Sequence, residues 1–218
     1  MRGMNGEEGS VMKRSGIGAA ITAVIDIIWA GLLWLLCSLP LVTLGAASTA
    51  LYYCVVKCIR HERGRLTKSF FSAFAREFKQ STLLWLILLG VESLLLFDVW
   101  ALSAMGQSDA TPFGIVSRIF LLLPLLLFPW LFAFVSRFSN TVGGTLKYCG
   151  YLALRHIGRT ALMGAELIGF ALVVWLMPAI APLLPGLICL LLSLHIEPVF
   201  RAITAEAGTQ GEDEWYNE

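Results

Sequence analysis

Six apolar runs, each near the length needed to cross a bilayer, constrain this chain more than any other feature. A hydrocarbon core of about 30 Å takes about 20 residues of helix. The runs 16–37, 41–58, 81–104, 113–138, 160–177 and 186–200 meet or approach that length. Inside a bilayer, backbone polar groups are satisfied only by helices or closed barrels, so runs of this length predict helices. Composition agrees, since 57% of the 218 residues are hydrophobic and 14% are charged, against about 25% charged in soluble domains. The first run is longer than a signal-peptide core and lacks a clear cleavage context, so it reads as a retained span.

Short breaks join the runs in pairs. Ser38-Leu39-Pro40, the stretch 106–112 and the proline-punctuated stretch Pro178 to Pro185 each supply a turn, because proline disfavours helix in the residue before it. The expectation is an all-α membrane protein with six transmembrane helices arranged as three hairpins. The small residues Gly45-Ala46-Ala47-Ser48-Thr49-Ala50 let two backbones approach closely. Pro124 and Pro129 predict a kinked fourth helix. Residues 1–15 and an acidic, flexible tail at 202–218 flank a single transmembrane domain at 16–201.

Charge placement sets the expected orientation. Lys and Arg are retained on the cytoplasmic side, and in a six-span arrangement every one of the 16 basic residues except Arg118 falls on one side. Both termini are therefore expected in the cytoplasm, and the membrane to be a bacterial plasma membrane. Arg118 lies about one turn inside the outer end of the fourth span. Asp98 lies at a comparable depth in the third, so the register of that hairpin predicts a structural ion pair between them.

The two long cytoplasmic connectors carry their own pattern. In 67–80, Phe70, Phe71, Phe74 and Phe78 share one side of a helix, with Lys68, Arg76 and Lys79 elsewhere. The connector 146–159 repeats the theme with Tyr148, Tyr151, Leu152 and Leu154 beside Lys147, Arg155 and Arg159. Both read as amphipathic interfacial helices. They suit contact with anionic lipid or with a cytoplasmic partner.

Chemical motifs are absent. No phosphate-loop, serine-hydrolase, zincin or dinucleotide signature occurs, so the reading is non-enzymatic, with no cofactor. Cys37, Cys54, Cys58, Cys149 and Cys189 have no CxxC spacing and read as buried small hydrophobes, with no metal site. A net charge of +1 suggests no nucleic-acid partner. His195 and Glu197 at the inner end of the sixth helix are two apart, do not share a face, and read as a solvated pair. Asp26, Glu92 and Glu166 lie inside apolar spans, each on the first helix of its hairpin. Charges at such depth face a bundle interior or a wet cavity, so the three are candidates for a common cation or proton path, or for separate caps of buried polar groups.

The first hairpin is recognisable. Leu33-Trp34-Leu35-Leu36-Cys37-Ser38-Leu39-Pro40-Leu41-Val42-Thr43-Leu44-Gly45, then Thr49-Ala50-Leu51-Tyr52-Tyr53, with Phe70-Phe71-Ser72-Ala73-Phe74 and Phe78-Lys79-Gln80, resembles the YesL-like family of small bacterial membrane proteins. The resemblance thins after Arg137. Members of that family have no established activity and are typically encoded beside carbohydrate ABC importers. It implies an accessory role in carbohydrate import, with importer subunits as partners. The alternative is a small autonomous transporter or channel using the intramembrane carboxylates.

Overall fold

Six helices long and apolar enough to cross a membrane occur among the residues described by the computed structural model, 16–60, 64–105 and 111–206. The structure is all-helical, and the chain is a multi-pass membrane protein. The N-terminal segment with Arg2, Lys13 and Arg14, the connector residues His61 and Arg63, loop residues 106–110 and tail residues 207–218 lie outside the described residues.

Helix α1 is Gly16–Ser38, and α2 is Leu44–Cys54, preceded by a short 3-10 turn and continued by a π-helical stretch, Val55–Arg60. Every residue from Gly45 to Cys54 is buried, so α2 is the central helix. Its small-residue face makes the close approach, and it does so against α3 (Leu66–Ala104). A β-carbon on Gly45 would stand 2.5 Å from the Ser81 carbonyl oxygen and 2.6 Å from Trp85 Cβ, while Thr49 and Ser81 hydroxyls bond across the seam at 2.8 Å. Neither backbone can yield there. Gly45→Ala is expected to cost about 1–3 kcal/mol by overpacking, read as a lower denaturation midpoint; Gly90→Ala, where a β-carbon meets nothing within 4 Å, should lose nothing.

The first connector is not a separate helix. It forms the opening turns of α3, whose 39 residues would measure about 58 Å if straight, roughly twice the hydrocarbon thickness. Leu66 O faces Cys54 Sγ, and Arg76 lies over the ring of the neighbouring Tyr53. The eleven residues from Leu66 to Arg76 thus pass two adjacent residues of α2, which angles these turns across the end of α2. Phe70, Phe74 and Phe78 form a ring ladder. Phe70 is wholly buried in the core cluster and Phe71 is exposed, so Phe70 is corrected from a lipid or partner contact to a core residue. The i, i+4 face it heads was turned onto α2 by that crossing.

The fourth span is broken into α4 (Pro112–Phe120) and α5 (Leu122–Arg137). The cause is Pro124, whose ring clashes with the carbonyl four residues earlier, that of Phe120, and supplies no amide to it. The second connector is helix α6 (Val142–Arg155), capped by Thr141 Oγ1 accepting from Gly144 N at 3.2 Å. A sharp corner at His156 leads into α7 (Ile157–Leu176), and α8 runs Leu184–Glu206. Residues 202–206, expected in the flexible tail, therefore continue the last helix. Apolar side chains such as Ile21, Val24, Ile25, Leu94, Phe97 and Trp175 form the exposed outer surface. In water such a surface would aggregate; in a bilayer it is the solvated one.

Candidate functional site

All six spans contribute to one cavity of about 420 Å³ in the bundle, through Trp34, Tyr52, Glu92, Phe128, Phe170 and Ile188 among others. Trp34, Leu44 and Pro185 on its wall lie close to the tight turns of the first and third hairpins. From there the cavity extends to Trp85, Phe132 and Ala133, within two turns of the basic connectors. Pro124 and Pro129 also line it, so the break in the fourth span shapes one wall. The indoles are held by their N–H groups: Trp34 donates to Ser48 Oγ at 3.1 Å and Trp85 to Leu41 O at 2.7 Å. Phe128 packs edge-on to both Trp85 and Phe132. The aromatic wall is therefore fixed in orientation.

The three intramembrane carboxylates do not converge. Glu92 lines the cavity, and its Oε2 is buried with no hydrogen-bond partner. Glu166 is on the α7–α8 seam, where its Oε1 lies 3.0 Å from His195 Nε2. Asp26 stands within electrostatic range of Cys58 at the basic end of α2. Of the three, only Glu92 is on the cavity wall.

Asp98 does bridge the α3–α4 hairpin, but its partner is Ser117, which donates to Oδ2 at 2.7 Å. No ion pair between Asp98 and Arg118 is found among the described residues. Successive residues on a helix point about 100° apart. With Ser117 aimed at α3, Arg118 starts from a different face of α4. The expected depth match holds and the expected ion pair is corrected.

The polar centre that sequence reasoning missed lies on the basic side of the cavity. Tyr52, a cavity-lining residue, donates its hydroxyl to Glu197 Oε1 at 3.0 Å, and Arg137 Nη1 donates to Glu197 Oε2 at 3.0 Å. The Arg137 and Glu197 side chains are 2% and 3% exposed, and the guanidinium is flanked by the rings of Phe138 and Phe200 at 5.4 and 5.7 Å. The solvated reading of the His195 and Glu197 pair is therefore corrected. The two carboxylates and the histidine are sorted by helix face, Glu197 inward to Arg137 and His195 sideways to Glu166. Nearby, Arg60 donates to Ser193 O at 3.0 Å and Lys57 to the Tyr53 hydroxyl at 2.9 Å. On this side of the cavity the Arg137–Glu197 ion pair thus lies near two cations held by neutral oxygens.

The basic side itself presents α6. Thr145, Cys149 and Leu152 are buried, while Tyr148, Tyr151 and Leu154 are exposed, with Lys147, Arg155 and Arg159 also exposed beside them. Gln80 of α3 donates to Asn140 O at 2.9 Å and to Thr145 Oγ1 at 3.2 Å, which brings exposed Lys79 and the α6 surface onto one face. Lys68, Phe71 and Arg76 are exposed on the opening turns of α3. His156 at the corner stacks on Trp130. Burial, then the Arg159 and Arg155 charges, hold its pKa below the ordinary histidine value. No group of His, Cys, Asp or Glu side chains suited to a metal ion is found among the described residues.

Residues 27–99 match the model of a family described as a protein of unknown function, DUF624. The match runs from the middle of α1 to the last turns of α3. No curated protein and no solved structure matches the chain.

Proposed function

We propose that this chain is a non-enzymatic accessory component of carbohydrate import, docked to importer subunits through its basic face, with that face and both termini in the cytoplasm. The observation that carries the reading is the α6 surface. Tyr148, Tyr151 and Leu154 stand exposed beside Lys147 and Arg155 on a helix whose other face is anchored in the core, with Arg159 just past the corner on α7. Aromatic and basic side chains on a rigid element are what a docking site needs. The positive-inside rule supports a cytoplasmic position for it, and the YesL-like resemblance supports importer subunits as the partner.

The cavity argues against the chain being the conduit for a sugar. A sugar presents many hydroxyls, and each one buried without a partner costs about 1–3 kcal/mol. Of the hydroxyls on the wall, Ser48 accepts from Trp34 and Tyr52 donates to Glu197, which leaves the single carboxylate of Glu92 to meet a guest's many hydroxyls. The different surroundings of Asp26, Glu92 and Glu166 also weigh against a shared ion path, on which the autonomous transporter alternative depends.

Extraction of the tagged chain from its host in mild detergent is expected to co-purify ABC permease and ATPase subunits. Tyr151→Glu with Leu154→Glu should reduce that recovery at least tenfold while the melting temperature of the purified chain holds. A chain that runs free of importer subunits, in cells whose carbohydrate uptake is unaffected by its deletion, would remove the proposal.

A further inference from the structure

Glu92 stands alone on an aromatic wall. Its Oε2 is buried without a hydrogen-bond partner, and Arg137, on the far side of the cavity-lining Tyr52, is committed to Glu197. An ionised carboxylate in such surroundings is costly unless a cation accompanies it. The side chains around it are those that stabilise a cation without hydrogen bonding. Trp34, Trp85, Phe128 and Phe132 line the same cavity, and aromatic faces attract ammonium groups through the ring quadrupole. Both indole N–H groups are already bonded to the protein, so these rings offer a ligand π surface and edge, not donors. About 420 Å³ is within the usual range for a small-molecule pocket.

We propose that the cavity is a binding site for a small amphiphilic ammonium compound, with Glu92 as its counter-ion and Trp34, Trp85 and Phe128 as its aromatic cage. The apolar body of the ligand lies against Leu88, Ile188 and their neighbours on the wall. A neutral apolar guest leaves the carboxylate uncompensated; a polyhydroxylated guest finds one carboxylate and leaves most of its hydroxyls unpaired. An organic cation satisfies both halves of the lining. The site is independent of the docking face, which lies beyond Tyr52, Glu197 and Arg137.

The test is equilibrium binding of benzyltrimethylammonium to the full-length protein in nanodiscs of phosphatidylglycerol. Saturable binding is expected. Glu92→Gln, which keeps the shape of the side chain, is expected to weaken it at least tenfold with the melting temperature held, and Glu92→Asp to retain part of the affinity. Phe128→Leu should weaken binding several-fold by removing a π face while leaving the wall apolar. Neopentylbenzene, the same molecule with carbon in place of the charged nitrogen, should compete poorly. Loss of binding when phosphatidylcholine replaces part of the lipid would assign the ammonium to a lipid headgroup, and its persistence to a free amine. The proposal is overturned if the wild type shows no saturable binding, if Glu92→Gln binds the cation within twofold of the wild type, or if neopentylbenzene competes as well as the cation.

Discussion

Glu197→Ala is expected to destabilise the bundle by about 3–5 kcal/mol, the usual consequence of removing one partner from a buried ion pair. The substitution leaves Arg137 uncompensated where its side chain is 2% exposed, and takes from Tyr52 the acceptor for its hydroxyl. Arg137→Met alone should be similarly damaging, because it strands the carboxylate. Joining Arg137→Met to Glu197→Met should recover most of the loss, since apolar groups of similar volume commonly replace a buried pair without penalty. Unfolding in a titration of denaturing detergent measures all three. Single variants as stable as the wild type would mean that water reaches the pair.

Trp130→Ala is expected to cost about 3–5 kcal/mol, the range for removing a large aromatic side chain from a packed interior. Trp130 is fully buried, stacks with His156 and meets Phe200 edge to face. It donates to Thr160 Oγ1 at 3.1 Å, and that hydroxyl donates in turn to Ala153 O at 2.9 Å. One side chain thus holds α5 against the α6–α7 corner. Trp130→Phe keeps most of the packing and removes the N–H, so its loss should be nearer 1 kcal/mol. Comparing the two melts separates packing from hydrogen bonding. A Trp130→Ala protein with an unchanged midpoint would show that the corner is held by other contacts.

The spans were legible because their signal is local. Length and apolarity of each run decide it, and Pro124 even announces the break at Leu121 through its effect on the carbonyl of Phe120. Small residues at Gly45 to Ala50 likewise announce a close approach, although not which helix makes it. Pairings between distant segments were not legible. Arg137 and Glu197 are 60 positions apart, and each alone looks like an ordinary charge at a helix end. A clue existed in Glu197 itself, set among Ile196, Val199 and Phe200, where a solvated carboxylate is out of place. Asp98 shows the limit of depth matching: it fixes the level at which two helices meet, and the helical phase then chooses Ser117 over Arg118. The connector 67–80 failed in the same way, since an apolar face can be recognised before it is known what the face turns toward. Phe70 turns toward α2.

The docking account is tested most directly by a photo-crosslinking residue placed at Tyr151, on the exposed stripe of α6, and irradiated in the membranes of the native host. Trp175, 81% exposed on α7, is the control position on the apolar outer surface. Adducts with an ABC permease or ATPase subunit, identified by mass spectrometry at Tyr151 and absent at Trp175, are the predicted result. Adducts with lipid alone at Tyr151, or the same protein adducts at both positions, would contradict the account.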